Sequence, residues 1–384
     1  MRSRVLARGR AACAWALLAV GIVGCTSSGG GSSTVTVSGK SLTIYLSDAA
    51  SSQPQVAQDV LDAERLAFSR ESDGQLSGYT LRLDVVHGKI SDAARAAIQD
   101  QSAIAYLGEI VPHSSFASLG ITNAADLLQV SPTDTALELT QASPVVPGSP
   151  GSYYESFSTY GQTFARVVGT TAQEAKAQVQ EMQTLGVTKL YVADDGGPYG
   201  ATIANAVRRD AAGTISVVAS ATGADGVFYG TDSPANARRF FQSATASNAS
   251  LKLFAGSALD DPTIAAALAG IGHLYVSAPG FLAQNLTPAG HTFVSEFTTA
   301  YGHAPLPQAI FGYEAMSSVL AVLREAASHV NDRATVVHDF LSIKNRQSVL
   351  GTYSISQTGD TSLAPFVFSR LEQGKLVPFV QLQG

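Results

Sequence analysis

The fold is decided by the stretch IAYLGEIVPHSSFASLGITNAADLLQVSPTDTALELT, which covers residues 104–140. Its two apolar runs, residues 104–107 and 127–130, are too short for helices and suit strands that are buried on both faces. Each run leads into small polar residues and then into a helical pattern. The carboxyl ends of neighbouring strands form the rim of an open α/β sheet, where small ligands bind. We therefore predict a ligand-binding rim made of hydroxyl groups and free backbone N–H groups.

The first residues of the chain have the features of a secretory leader. Four arginines precede an apolar run at positions 11–23, which is too short to span a bilayer comfortably and suits a signal peptide. The tetrad Ile22-Val23-Gly24-Cys25 resembles a bacterial lipobox, in which cleavage precedes the cysteine and the thiol receives a lipid. We predict a lipoprotein signal peptide at residues 1–24, a lipid on Cys25 and a flexible tether over residues 25–40. An ordinary signal peptide with an incidental cysteine is the alternative.

Length, charge and cysteine content restrict what the rest of the chain can be. Removing 24 residues from 384 leaves 360, which is more than one hydrophobic core usually serves, so two lobes are expected. The leader carries four arginines and no acid, so its removal changes the formal charge from −6 to −10 and disfavours a nucleic-acid partner. With Cys13 removed and Cys25 lipidated, no thiol remains for a disulfide or a zinc site.

Strand-like runs and amphipathic helical patterns alternate through the body of the chain. A first βα block starts at residue 41, and a Pro/Gly/Ser-rich loop at residues 143–152 precedes a second block of the same kind. Ser233-Pro234, Asp261-Pro262 and Thr287-Pro288 mark helix starts, because each places a capping side chain before a proline. The pattern predicts an α/β fold with two doubly wound parallel-sheet lobes.

The order of these parts resembles the leucine/isoleucine/valine-binding family of type I periplasmic binding proteins, the substrate-capturing components of ABC importers. The clearest shared pieces are Leu107-Gly108, Ser131-Pro132 through Thr140, Phe164-Ala165-Arg166, Tyr199-Gly200 and the segment Gly351 to Asp360. The resemblance implies two lobes joined by three crossings, near residues 164–168, 276–279 and 349–351. Lobe 1 would contain residues 41–165 plus 280–347, and lobe 2 would contain residues 166–279 plus 348–384. Such lobes close around a ligand by hinge bending.

The resemblance also implies a ligand site that is divided between the lobes. The implied contacts in lobe 1 are His113, Ser114, Ser115, Thr133, Asp134 and Thr135, and those in lobe 2 are Thr171, Tyr199, Asp232 and Ser257.

Three positions depart from the amino-acid-binding pattern of that family. Val56 replaces a covering aromatic residue, Pro112 replaces a serine that grips the ligand carboxylate, and Ser257 replaces a carboxylate that pairs with the ammonium. A hydrogen bond to a charged group contributes about 1.5 to 3 kcal/mol, so losing two of them weakens amino-acid binding by about two orders of magnitude or more. We therefore expect a ligand other than a leucine-like amino acid.

Asp134 bears directly on the ligand's charge. A fixed anion at a helix N-terminus already interacts with the positive end of the helix dipole, so it competes with a ligand carboxylate for that interaction. We predict a ligand that is neutral or that carries a cation facing Asp134. The alternative is that Thr135 and Glu138 form a capping box, with Asp134 merely stabilising the start of a helix.

Several candidate residues also have purely structural interpretations. Asp194-Asp195 and Asp260-Asp261 each lie between a strand and a helix, where an aspartate caps more often than it catalyses. Thr171 suits a cap, Tyr199 suits a packed aromatic residue, and His113 suits either a ligand contact or a cap. The sequence contains no P-loop, no Gly-x-Ser-x-Gly elbow and no histidine pair at metal-ligand spacing on one helix. We therefore predict no enzymatic activity, no cofactor and no metal site.

These features together predict a lipid-anchored, monomeric, extracytoplasmic solute-binding protein on the outer face of a bacterial cytoplasmic membrane. It would capture a small polar ligand, either amino-acid-like or another small solute, between its lobes and deliver it to the membrane permease of an ABC importer. The alternative is a ligand-sensing or regulatory envelope lipoprotein with the same fold and no transport role, because fold does not settle function.

Overall fold

The protein is described by a computed structural model for residues 35–49, 52–154, 161–246 and 248–384. The predicted signal peptide, the lipidation site Cys25 and most of the predicted tether lie outside the described residues. Two sheets, each with its own helices, form two lobes, lobe 1 and lobe 2. In the described part of the chain, no helix is long and apolar enough to cross a membrane.

Lobe 1 is built on a mainly parallel sheet. Its strands are β1 (Ser41–Ala49), β2 (Gln75–Leu76), β3 (Tyr79–Gly88), β4 (Ala103–Leu107), β5 (Leu128–Ser131) and β6 (Phe164–Arg166). Their order in the sheet is β2-β3-β1-β4-β5-β6, and every neighbouring pair is parallel except β2 with β3. β4 and β5 are adjacent, and all their residues are buried. The prediction of two neighbouring strands buried on both faces is therefore confirmed.

Lobe 2 is built on a second sheet that ends in an antiparallel edge. Its strands are β7 (Lys189–Asp194), β8 (Ser216–Val218), β9 (Gly226–Gly230), β10 (Lys252–Ala255), β11 (Leu274–Pro279), β14 (Pro365–Glu372) and β15 (Lys375–Gln383). A separate hairpin of β12 (Arg346–Ser348) and β13 (Gly351–Tyr353) lies between β11 and β14 in the chain. The order of the large sheet is β15-β14-β11-β10-β9-β7-β8. Strands β7 to β11 pair in parallel, whereas β14 and β15 pair antiparallel to their neighbours.

Helices cover both sheets. They are α1 (Pro54–Glu71), α2 (Ile90–Gln99), α3 (Phe116–Ala124), α4 (Thr171–Thr184), α5 (Pro198–Ala211), α6 (Pro234–Thr245), α7 (Pro262–Ala267), α8 (Pro288–Tyr301), α9 (Ala309–Ala326) and α10 (Arg333–Leu341). The side chains of Ser233, Asp261 and Thr287 accept backbone N–H groups at the starts of α6, α7 and α8. The three predicted Pro-marked helix starts are therefore confirmed, and so is the two-lobed α/β fold class.

The packing of the hydrophobic cores shows where the chain passes between the lobes. Val167 and Val168 pack into the core of lobe 1, and α4 in lobe 2 begins soon after them. The second passage lies at Gly280, between β11 and Phe281, whose ring packs against the lobe 1 core. The third lies between Leu363, which packs in lobe 1, and Ala364, which packs with lobe 2 residues.

The third passage differs in position from the sequence prediction. Leu350, Tyr353 and Ile355 are buried in the core of lobe 1, whereas the predicted crossing at residues 349–351 assigns them to lobe 2. The hydroxyl of Tyr353 donates to the buried carboxylate of Glu314 on α9 at 2.7 Å, which holds this hairpin on lobe 1. Alternation of apolar residues predicts such strands but does not reveal which lobe buries them.

Two other local predictions are wrong. The predicted tether ends too late, because Val37 is only 3% exposed in the lobe 1 core and its N–H donates to Asn331 O at 2.7 Å. The helical pattern after β5 forms only a single 3-10 turn, Leu137–Leu139, which has no side-chain cap. The first error arises because a short apolar segment within a Gly/Ser-rich sequence can still fill a gap in a core.

Candidate functional site

The carboxyl ends of the strands of lobe 1 meet those of lobe 2 along one seam. Gln53, in the loop after β1, donates from Nε2 to the carbonyl oxygens of Ser257 at 2.8 Å and Asp260 at 3.0 Å, both in the turn after β10. Thr171, at the start of α4, donates its N–H to Thr135 O at 2.6 Å and its hydroxyl to the same oxygen at 2.8 Å. Residues predicted for the two halves of the site therefore lie on facing sides of this seam.

Asp134 accepts hydrogen bonds from the backbone on both sides of the lobe 1 rim. Its carboxylate receives the N–H groups of His113 at 2.7 Å, Ser115 at 2.8 Å and Ala136 at 3.0 Å. The side chain is fully buried. Burial raises the pKa of Asp134, although the hydrogen bonds from Ser115, Ala136 and His113 oppose the rise. The predicted contact between Asp134 and a ligand cation is therefore not supported, because the carboxylate is enclosed by its own chain.

His113 pairs with Glu138 rather than with a helix terminus. Its Nδ1 is hydrogen-bonded to Glu138 Oε1, and its ring stacks on Phe116 with centroids 4.9 Å apart. Burial alone would lower the pKa of His113, but the hydrogen bond and charge of Glu138, together with Asp134 and Asp232, raise it above its usual value. The predicted capping box of Thr135 and Glu138 is wrong, because the 3-10 turn begins without a side-chain cap and Glu138 bonds His113 instead.

The hydroxyls of the lobe 1 rim are used within the rim itself. Ser114 Oγ donates to Val111 O, and Thr133 Oγ1 donates to Ile110 O at 2.6 Å. Ser115 Oγ accepts the N–H of Glu109 at 3.1 Å. These hydroxyls therefore shape the loop after β4, and His113 and Ser114 retain partial solvent exposure.

Lobe 2 contributes a buried polar group behind Ser257. The N–H and hydroxyl of Ser257 donate to Glu174 at 2.7 and 2.9 Å, and the hydroxyl of Ser277 donates to the same carboxylate at 2.6 Å. Tyr199 is only 2% exposed, and its OH accepts the N–H of Ala258 at 3.2 Å. Burial raises the pKa of Glu174 to about 7, against the lowering effect of these serine donors.

Asp260 and Asp261 have separate roles at the seam. Asp261 caps α7 through Thr263 N and also receives the N–H groups of Gln55 and Val56 from lobe 1 at 3.0 and 3.2 Å. Asp260 instead accepts from the side chain of Gln308, which precedes α9 in lobe 1. Burial raises the pKa of Asp260 to about 7, although the bond from Gln308 lowers it. This pair of acids therefore links the two lobes.

Thr171 does not cap a helix, and Asp232 is exposed. Thr170, not Thr171, caps α4, in a capping box with Gln173. Asp232 is the one predicted site residue of lobe 2 that is exposed, and it lies directly before the cap Ser233. In the described residues, no group of three or more His, Cys, Asp or Glu side chains is arranged to hold a metal ion.

Sequence reasoning missed Gln53, Glu174 and Gln308. Glu174 lies three residues after Thr171 on one helix, and this spacing places the two on one face. That spacing was the available signal for Glu174. Gln53 and Gln308 both precede a helix and carry no local motif, so only the fold brings them to the seam.

Comparison with known proteins identifies the family. The family profile described as periplasmic binding protein matches residues 45–375. A search of curated protein sequences gives no significant match.

Solved structures share the fold at low sequence identity. The leucine-binding protein LivK from Thermotoga maritima has a TM-score of 0.73 and 16% identity, covering 89% of this chain and 98% of that chain. The branched-chain amino acid transporter substrate-binding protein LivJ from Streptococcus pneumoniae, solved with isoleucine, has a TM-score of 0.70 and 14% identity, covering 90% and 100%. A solute-binding protein of an ABC transporter from R. palustris, solved with benzoate, has a TM-score of 0.66 and 15% identity, covering 89% and 96%. With the profile match over most of its length, the chain belongs to the periplasmic binding protein family.

Proposed function

We propose that this chain is the solute-binding protein of an ABC importer, which closes its lobes on a small polar ligand and delivers that ligand to a membrane permease. The observation that carries the proposal is the seam, where Gln53 and Thr135 of lobe 1 are bonded directly to Ser257 and Thr171 of lobe 2. A ligand shifts lobes from open to closed only if it binds the closed state better, so both lobes must contribute contacts.

The fold accommodates more than one kind of ligand in its relatives. The S. pneumoniae protein was solved with isoleucine and the R. palustris protein with benzoate. Family membership therefore supports solute capture without naming the solute of this chain.

In this proposal the predicted site residues divide into two groups. The accessible side chains contact the ligand, and the buried ones hold the seam in shape. The first group is His113, Ser114 and Asp232, and the second is Ser115, Thr133, Asp134, Thr135, Thr171, Tyr199 and Ser257.

A thermal-shift screen tests solute capture. The mature chain is heated with amino acids, amides, polyamines, sugars and aromatic acids, and hits are followed by calorimetry. A ligand at 100 times its dissociation constant adds about 2.7 kcal/mol of apparent stability. Small-angle X-ray scattering then measures whether a hit makes the protein more compact. A result without any binder across the panel would favour the regulatory alternative.

The proposal includes a lipid anchor at Cys25 and a monomeric protein outside the cytoplasmic membrane. A lipid with two acyl chains holds a protein stably at a bilayer, whereas one chain does not. Cys25→Ser should therefore move the protein from the membrane fraction to the soluble fraction, and mass spectrometry should detect a diacylglyceryl group on wild-type Cys25 only. Size-exclusion chromatography with light scattering tests the monomer.

A further inference from the structure

The anion-binding groups at the rim of lobe 1 are filled by the protein itself. Backbone N–H groups that converge at strand ends and helix starts bind carboxylates and phosphates. Here the N–H groups of His113, Ser115 and Ala136 converge on the carboxylate of Asp134, at 2.7 to 3.0 Å. A ligand carboxylate would therefore find these donors occupied and would meet a fixed negative charge.

Glu138, which is bonded to the side chain of His113, is a carboxylate whose hydrogen bonding is incomplete. Glu138 is 1% exposed, and one of its oxygens is bonded to His113 Nδ1. Its other oxygen, Oε2, has no hydrogen-bond partner among the described residues. A buried carboxylate oxygen without a donor is unfavourable, so a donor from outside the chain would be stabilised there.

The opposite side of the seam is also negative. Asp232 of lobe 2 is exposed and follows β9, the parallel neighbour of β10. It therefore lies at the same sheet edge as Ser257, which is bonded to lobe 1 through Gln53, and its charge raises the pKa of His113. Beside them, the ring of Phe116 is 51% exposed and stacks on His113. The structure thus combines carboxylates from both lobes with an apolar, aromatic surface.

We propose that the ligand carries an ammonium or amidinium group and no carboxylate, with the cation between Glu138 and Asp232 and its carbon chain on Phe116. This inference rests on the proposed function and specifies its substrate class. The cation donates to Glu138 Oε2, the oxygen that the imidazole of His113 leaves unpaired. Asp134 excludes ligand carboxylates, because it already accepts the backbone N–H groups that would otherwise bind them.

Calorimetry with chemically simple probes tests the substrate class. Putrescine and agmatine represent the cations, leucine and benzoate the carboxylates, and glucose a neutral solute. We expect a cation to bind and the carboxylates to bind at least about 100-fold more weakly, as loss of two charged hydrogen bonds implies. Tight binding of leucine, benzoate or glucose would overturn the cation inference and leave solute capture intact. Binding of none of the probes or panel compounds would instead overturn solute capture.

Two substitutions test the assigned roles. Asp232→Asn removes an exposed charge and should weaken cation binding up to about fivefold, whereas Asp92→Asn on α2, also exposed, should leave it unchanged. Asp134→Ala frees the three N–H groups and should create measurable benzoate binding. If Asp134→Ala does not fold, Asp134→Asn, which keeps an acceptor but no charge, should still reduce the discrimination against benzoate. Equal effects of Asp232→Asn and Asp92→Asn, or unchanged discrimination in a folded Asp134 variant, would refute the assignment.

Discussion

Arg166 ties the first passage between the lobes to the rim of the site, and its replacement gives a sharp test of the structure. The side chain is fully buried. It donates to Asp360 Oδ1 at 2.8 Å, to the carbonyl oxygens of Asp134 at 3.1 Å and Ala136 at 2.6 Å, and to the hydroxyl of Thr140. Arg166→Met keeps the apolar stem and removes every donor.

The expected loss follows from the groups that would remain unpaired. Removing one partner of a buried ion pair costs about 3 to 5 kcal/mol, and each carbonyl that loses its donor adds to this cost. The side chain of Asp360 is 14% exposed, so water compensates part of its lost charge partner. We therefore expect Arg166→Met to lower the free energy of unfolding by about 3 kcal/mol.

Urea unfolding followed by circular dichroism measures this loss. The single tryptophan, Trp15, lies in the predicted leader, so tryptophan fluorescence does not suit the mature chain. Arg209→Met is the matched control, because Arg209 pairs with Asp210 at 2.7 Å but is 61% exposed, and exposed pairs contribute about 0 to 1 kcal/mol. A double-mutant cycle with Asp360→Asn should give a coupling energy above about 1 kcal/mol. If Arg166→Met costs no more than Arg209→Met, the assigned role of the buried arginine is incorrect.

Three further predictions concern the seam and the packing of lobe 2. Burial raises the pKa of Asp260 to about 7. The stability that Asp260 contributes is therefore fully present at acid pH and is lost as the pH rises through about 7. Asp260→Asn should flatten the resulting fall in melting temperature. Gly200→Ala would place a Cβ 2.5 Å from Gly230 O and should cost about 2 kcal/mol or more of unfolding free energy, measured by urea unfolding. Gln53→Ala removes two bonds between the lobes and should increase the radius of gyration in X-ray scattering.

Each of these predictions has a result that contradicts it. An Asp260→Asn protein whose melting temperature depends on pH as steeply as that of the wild type would exclude Asp260 as a source of the dependence. Gly272→Ala is the control for Gly200→Ala, since nothing lies within 4 Å of its Cβ position, and equal losses would refute the close contact. An unchanged scattering profile for Gln53→Ala would show that its bonds do not hold the lobes together.

Much of the site could be predicted only as a location. Adjacent strands β4 and β5 follow from two short apolar runs, and the rim at their ends follows from the topology of parallel sheets. The hydrogen bonds made by Asp134 do not follow, because Asp134 and His113 are 21 positions apart and the direction of a carboxylate depends on which N–H groups the folded loops present. A helix cap was the local interpretation, and a non-local interaction replaced it.

Sequence by itself determined the alternation of strands and helices, the Pro-marked helix starts and the two-lobed class, because these depend on periodicity and on capping groups that lie within a few residues. Tertiary structure alone decided that Tyr353 packs in lobe 1, that Glu174 supports Ser257, and that Gln53 joins the lobes. These contacts link residues 39, 83 and 204 positions apart. Partners at such separations are selected by the shape and unsatisfied hydrogen-bonding groups of the folded core, which no local pattern encodes.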